Sequence, residues 1–370
     1  MSDFIVPRPE MALRIADMLV PDPILGSLSG LFLAAPRRTG KSTFLRRDLA
    51  PLLRQRGKTV LYVDLWADRS VDPAKLIADC IKASIEEHAA PIQRFRKSLP
   101  VDKLGALGFS ISFKTPAEFS GTPSDAMQLL VAATGQDVVL IVDEAQQTLE
   151  TKAGLDAMFA LKAARDAVNQ GQGEHRLYLI MTGSHRDKLA ALVYDQKSPF
   201  FGAHVRDFPP LGREYSIAIA ERINGNLAEH LHIGVDEMDR AFDILGRKPE
   251  MLLDCLRALV LVEGRGPDAL EDIVMRKKAE VEAARRAEIL SLSKLQQALL
   301  RMLAADGQAF SPFAAASRER LRAANGGRAP AQGAIQKALE VLREKGFVWR
   351  PGYGAYALEN AEIAGALTEA

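Results

Sequence analysis

Two cysteines in 370 residues, Cys80 and Cys255, are too few and too far apart for a disulfide framework, and they form no C-x-x-C pair. That usage suits a reducing compartment and argues against structural zinc. Also absent is any apolar run approaching the roughly 18 residues that a membrane span requires. The start, Met1-Ser2-Asp3-Phe4, places no basic segment before an apolar one, so the expected location is the cytoplasm with no membrane partner. Charge of one sign is lacking as well: 48 Lys and Arg face 47 Asp and Glu, a formal net charge of +1. No global field announces nucleic acid or a membrane surface, and any such face must be local. Internal repeats and low-complexity tracts are missing. What remains is an ordinary globular composition, 48% hydrophobic and 26% charged, in a chain long enough for two or three domains.

One stretch organises the rest. Ala35-Pro36-Arg37-Arg38-Thr39-Gly40-Lys41-Ser42 follows the apolar run Leu31-Phe32-Leu33-Ala34 and leads through Thr43 into a helical pattern. Strand, loop and helix in that order are the context of a phosphate-binding loop, G-x-x-x-x-G-K-[ST]. Backbone N–H groups and a helix N-terminus converge there on anionic oxygens. Gly40 permits close approach, Lys41 reaches the β- and γ-phosphates, and the Ser42 hydroxyl suits a Mg²⁺ shell. Ala35 stands where the pattern has its first Gly, so that position needs a φ below zero.

A second run, Asp137-Val138-Val139-Leu140-Ile141-Val142-Asp143-Glu144, is fully apolar until its two final acids. It reads as a buried parallel strand opening on a ligand crevice. Asp143 is expected to hold magnesium through water and Glu144 to polarise an attacking water. Further strands are expected at 59–64, at 177–182 and near 204–208. Ser184, at the tip of the run 177–182, is placed to sense a γ-phosphate, while His185 reads as a structural hydrogen-bond partner. Between strands, 73–88 is an amphipathic helix with Leu76, Ile77, Cys80, Ile81 and Ile85 inward. Residues 89–117 differ in character, with Arg94, Arg96 and Lys97 before the alternating run from Leu107 to Phe113; they suit either a solvated basic loop with an edge hairpin or a nucleic-acid contact.

From Arg213 the pattern is helical only. Three further helices, at 292–305, 312–324 and 331–345, precede two short strands around Pro351-Gly352, the order of a winged helix. Between Lys294 and Arg350 ten basic residues face four acids, a local charge of +6 against +1 for the chain. Arg328, Gln332, Gln336, Lys337, Arg350 and Tyr353 are the candidate contacts to duplex DNA. The alternative is a protein-recruiting domain whose arginines are merely solvated.

These motifs together resemble the AAA+ and STAND branches of P-loop ATPases, and more narrowly the archaeal-type ATPases related to Orc1/Cdc6 initiators. Pro36-Arg37-Arg38-Thr39-Gly40-Lys41 fits that family's phosphate loop. Phe4-Ile5-Val6-Pro7-Arg8-Pro9-Glu10 is similar to its N-terminal signature, which makes Val6 and Arg8 nucleotide contacts by resemblance. Thr182-Gly183-Ser184 matches its sensor strand, and Gly246-Arg247-Lys248-Pro249 resembles its lid motif, with Arg247 replacing a second Gly. Lys197 to Gly202 is similar to another family segment, but Ala203 stands where an Arg is usual, which leaves Arg206 or Arg213 as substitutes for an arginine finger.

The resemblance implies an α/β fold with a parallel sheet of order 5-1-4-3-2 in residues 1–212, a helical lid in 213–290 and a winged helix in 291–370. It implies ATP or ADP with Mg²⁺ as ligands and slow ATP hydrolysis driving a switch, with duplex DNA, a protein partner or a second copy as partners. The alternative is an ADP-stabilised scaffold with little turnover. Arg247 and Lys248 stand at the start of a helix where positive charge is unfavourable; a bound phosphate would explain both, and the alternative is two solvated charges.

Overall fold

Alternation within each apolar run decides how the layers assemble. The computed structural model describes residues 5–20, 30–88, 90, 123–171, 173–261, 268–324, 326–352 and 354–368. The expected hairpin in 89–117 and Tyr353 lie outside them. Strands β1 (Leu31–Ala34), β2 (Thr59–Asp64), β3 (Val138–Asp143), β4 (Leu177–Gly183) and β5 (Val205–Asp207) form one parallel sheet of order β2-β3-β4-β1-β5. This is the order expected from sequence. Val138, Leu140 and Val142 face one side with Phe32, Leu179 and Met181, while Val139 and Ile141 face the other with Leu31, Leu33 and Ile180. Both faces are therefore apolar, which is why the runs read as continuous rather than alternating.

The first face is covered by α4 (Pro73–Glu87), α5 (Pro123–Thr134) and α6 (Lys152–Gln170), through Ile77, Ile81, Ile85, Leu130, Met158 and Leu161. The second is covered by α1 (Pro9–Met18), α2 (Lys41–Phe44) and α3 (Ala50–Gln55), through Ile15, Phe44, Leu49 and Leu53. A π-helical turn over Leu45–Leu49 joins α2 to α3. Asp72 caps α4 by accepting from the Ala74 N–H at 2.8 Å, ahead of Pro73 at its first position. Helix α5 has no counterpart in the sequence reading. A short helix, α7 (Arg186–Ala190), follows β4.

By internal contacts, residues 1–36 with 41–208 make one compact unit, and 37–40 with 209–370 a second. The second contains α8 (Arg213–Asn224), α9 (Val235–Ile244), α10 (Pro249–Leu261) and α11 (Asp268–Leu290). Next come α12 (Lys294–Asp306), α13 (Ala315–Ala324) and α14 (Gln332–Glu344), then the antiparallel pair β6 (Val348–Trp349) and β7 (Ala357–Leu358). Ser293 and Gln296 close a capping box at the start of α12. A last helix, α15 (Ala361–Thr368), is unforeseen by the sequence; its Ile363 and Ala366 join Leu299, Leu339 and Phe347 in the core of this region. Among the described residues no helix is long and apolar enough to cross a membrane.

Candidate functional site

Because β4 lies between β1 and β3, its tip stands between the end of the β1 strand and the two acids that close β3. Ala34 is in register with Gly183, and the Ala35 N–H donates to the Gly183 carbonyl at 3.1 Å. Ala35 thus simply extends the strand and is buried in the core, with no positive φ. The left-handed positions of the loop fall instead on Arg38 (φ 66°) and Gly40 (φ 82°).

Lys41 opens α2 and is buried, 5% exposed, yet its Nζ donates to Asp143 Oδ1 at 2.6 Å, Glu144 Oε1 at 2.8 Å and Thr182 Oγ1 at 3.2 Å. Asp143 is wholly buried; its Oδ1 also accepts from the Thr182 hydroxyl and from the Glu144 N–H at 3.1 Å, and its Oδ2 from Tyr62 OH at 2.9 Å. The Ser42 hydroxyl bonds Asp143 as well. Glu144 sits at φ 59°, a left-handed conformation that an acid adopts only when its surroundings enforce it. Its Oε2 accepts from Ser184 Oγ at 2.7 Å, Ser184 N at 3.2 Å and the Gln146 side-chain amide.

Burial alone would raise both carboxyls; the Lys41 charge and hydrogen bonds outweigh it, with Ser42 and Thr182 helping at Asp143 and Ser184 and Gln146 at Glu144. Both are held below their ordinary range. Burial, reinforced by the Asp143 charge, raises the Tyr62 phenol, so this hydroxyl remains a donor. Asp64, in register with Asp143, is raised by burial and by the neighbouring charges of Asp143 and Glu144, against its hydrogen bond from Trp66 N–H. The Ser42 hydroxyl and the Asp143 carboxylate are hard oxygen donors in contact, a set that fits Mg²⁺, which keeps waters and phosphate oxygens as its other ligands.

Of the residues singled out by sequence, Lys41, Ser42, Asp143, Glu144 and Ser184 come together here. Thr39 is buried, and Pro36, Arg37 and Thr43 are exposed. Arg38 Nε pairs with Glu250 at 2.8 Å, both counted to the second unit. Arg8 places its guanidinium 5.8 Å from the Phe44 ring centre and 5.3 Å from that of Phe208, at the flank of α2, with Val6 half-buried. His185 bonds Ser184 Oγ at 3.2 Å, the structural role expected of it.

Arg247 has acidic partners of its own near the start of α10. Its guanidinium is matched by Asp243 at 2.6 Å and Asp239 at 3.3 Å and bonds the Leu211 carbonyl at 3.2 Å. The pair with Asp243 has (i, i−4) spacing. Gly246 (φ 66°) and Arg247 (φ 52°) are both left-handed, so Arg247 keeps the backbone of the Gly it replaces in the resemblance. Lys248 and Pro249 follow, half-buried. Arg213 is paired with Asp236 and with Asp239, and Arg206 is exposed on β5. Three residues of the network escaped the sequence reading as site residues: Tyr62, Thr182 and Gln146. Only Thr182 carried a signal, its place in the strand-tip motif; Tyr62 and Gln146 are recruited by sheet order and by the turn after β3.

No protein-family model matches the sequence, and no curated protein matches it. Solved structures do match in three dimensions. A Walker-type ATPase of Pyrococcus abyssi superimposes with a TM-score of 0.53 at 19% identity, over 98% of this chain and 96% of that one. The ORC2 protein of Aeropyrum pernix in its ADP form gives 0.55 at 13% identity, over 100% and 97%, and its ADPNP-ADP complexes give 0.50 at 14%, over 100% and 96%. The chain has the fold of that Walker-type ATPase and of the ORC2 protein. At these identities the likeness is one of fold, and the chemistry rests on the residues described above.

Proposed function

We propose that this chain is a Mg²⁺-dependent ATP-binding and hydrolysing switch. The observation that carries the reading is Lys41, buried at the start of α2 and bonded to both Asp143 and Glu144. One ammonium cannot serve two carboxylates and a phosphate chain together, so nucleotide binding exchanges its partners. Lys41 turns to the β- and γ-phosphates, and the loop Pro36, Arg37, Arg38, Thr39, Gly40 with Ser42 and Thr43 cradles them through backbone N–H groups. Asp143 and Ser42 would hold a Mg²⁺, which would supply charge neutralisation at the phosphates. Glu144, released from Lys41, orients the attacking water, and Ser184 reports on the γ-phosphate. By the family resemblance, Val6 and Arg8 are the candidate contacts to the base. That the ORC2 structures are an ADP form and ADPNP-ADP complexes supports a nucleotide as the ligand.

We read residues 213–290 as a lid and 291–370 as a winged helix that meets duplex DNA. Gln332, Gln336 and Lys337 are exposed on one side of α14, Arg328 is exposed before it, and Arg350 lies 5.8 Å from the Tyr356 ring centre. Ion pairs of Arg320 with Asp306 and Arg322 with Glu319 reduce the basic footprint. An ADP-stabilised scaffold that recruits a protein is the second reading, favoured by Ala203 in place of an arginine. Lys41→Ala tests the binding site: affinity for a fluorescent ATP analogue should fall at least about tenfold, as loss of a charge-assisted contact requires. Undiminished binding would refute the phosphate-loop assignment.

A further inference from the structure

Gln146 is 1% exposed, and no role in nucleotide contact falls to it. Its Nε2 donates to Glu144 Oε2 and lies 3.4 Å from Ser184 Oγ. The amide cannot turn over, because Oε1 would then face the Glu144 carboxylate, acceptor against acceptor. In the orientation so enforced, Oε1 is buried without a hydrogen-bond partner. It lies against Gly183: a Cβ there would stand 2.5 Å from Gln146 Oε1. Gly183 has no positive φ, so the backbone does not demand glycine; the amide does. A buried acceptor left unmade is a cost that packing alone would not retain.

We propose that Gln146 is a positioning residue that aims the Glu144 carboxylate at the attacking water, with Gly183 as the space it occupies. The inference rests on the hydrolytic reading above. When Lys41 turns to phosphate, Glu144 Oε1 loses its cation and becomes available to water. Gln146 Nε2, the Ser184 hydroxyl and the Ser184 N–H keep hold of Oε2, so the carboxylate does not swing with the lysine. The left-handed backbone of Glu144 leaves orientation to these three donors.

Gln146→Met keeps the volume and removes the donor. Its turnover number should fall about ten- to a hundredfold, the worth of a hydrogen bond to a charged group. Its dissociation constant for ATP should stay within about twofold, and its urea midpoint should not fall, because the orphaned acceptor is gone. Gly183→Ala should lower turnover alone, yet cost less than about twofold in a Gln146→Ala background, where the collision is absent. Parent turnover in Gln146→Met, or an equal cost of Gly183→Ala in both backgrounds, overturns the inference. A loss of ATP affinity or stability in step with turnover overturns it too, by making Gln146 a packing residue. The two readings fail separately: a parent chain releasing no phosphate removes the hydrolytic reading and this one, whereas an active parent with an equally active Gln146→Met removes only this one.

Discussion

Removing Lys41 should invert the pH dependence of stability in the ligand-free protein. In the parent, Asp143 and Glu144 have pKa values below their ordinary 3.8 and 4.5. A depressed acid contributes stability that is fully present above its unfolded value and lost as pH falls through its folded value, so from these two groups the parent gains or loses nothing near neutrality. In Lys41→Ala the two side chains, 0% and 10% exposed, keep their neutral donors but lose the cation between them. Stripping one partner from a buried pair costs about 3–5 kcal/mol. Desolvation and mutual repulsion now raise the carboxyls, and a raised acid favours the native state as pH falls. The deficit should therefore shrink as pH falls from neutrality toward the ordinary carboxyl values, by up to about 1.4 kcal/mol per pH unit for each group. The assay is urea unfolding followed by Trp66 fluorescence, with Trp349→Phe in both proteins, so that pH effects elsewhere cancel in the difference. A deficit that stays constant across that range, or one below about 1 kcal/mol at the upper end, would refute the coupling of Lys41 to the two acids.

Other consequences can be read from single substitutions. Tyr62→Phe removes the phenol's hydrogen bond to Asp143 Oδ2 and should raise the Mg²⁺ concentration for half-maximal ATP binding several-fold while Mg²⁺-free binding is unchanged; an unaltered Mg²⁺ titration would contradict this. Arg247→Gly should leave ATP affinity within about twofold, since Asp239 and Asp243 already match that charge; a tenfold loss would assign Arg247 to the phosphates. Arg328→Glu with Arg350→Glu in the full chain should abolish binding to duplex DNA, and parent binding should fall with salt at a log–log slope of roughly −0.9 per phosphate neutralised. No mobility shift of a labelled duplex at low salt, with or without ATP, would assign the C-terminal region to protein recruitment.

Much of the nucleotide site was legible because its parts are local. The run into Gly40-Lys41-Ser42 names a strand, a loop and a helix by itself, and a strand ending in Asp143-Glu144 declares its open end. Sheet order came from the family resemblance that those motifs carry. The misses are tertiary. Tyr62 reaches Asp143 because β2 and β3 are neighbours, Gln146 reaches Glu144 because the turn after β3 folds back, and neither fact is written in the spacing of the chain. The partners of Arg247 were hidden for the same reason: the helix start suggested an unmet positive charge, and Asp239 and Asp243 on the preceding helix are brought to it by the fold. Helices α5 and α15 were passed over because short, Ala-rich segments beside strong motifs carry weak periodicity, and their burial is decided by what they cover.

The measurement closest to the central claim is steady-state phosphate release from ATP by the full chain, run beside Glu144→Gln. The parent should release phosphate only with Mg²⁺, and slowly, below about 1 s⁻¹ without a partner that supplies a further cation. Glu144→Gln should bind ATP as tightly and retain it unhydrolysed, with release down at least about a hundredfold. Equal release by the two proteins, or none from the parent with ATP bound, would contradict hydrolysis at this site.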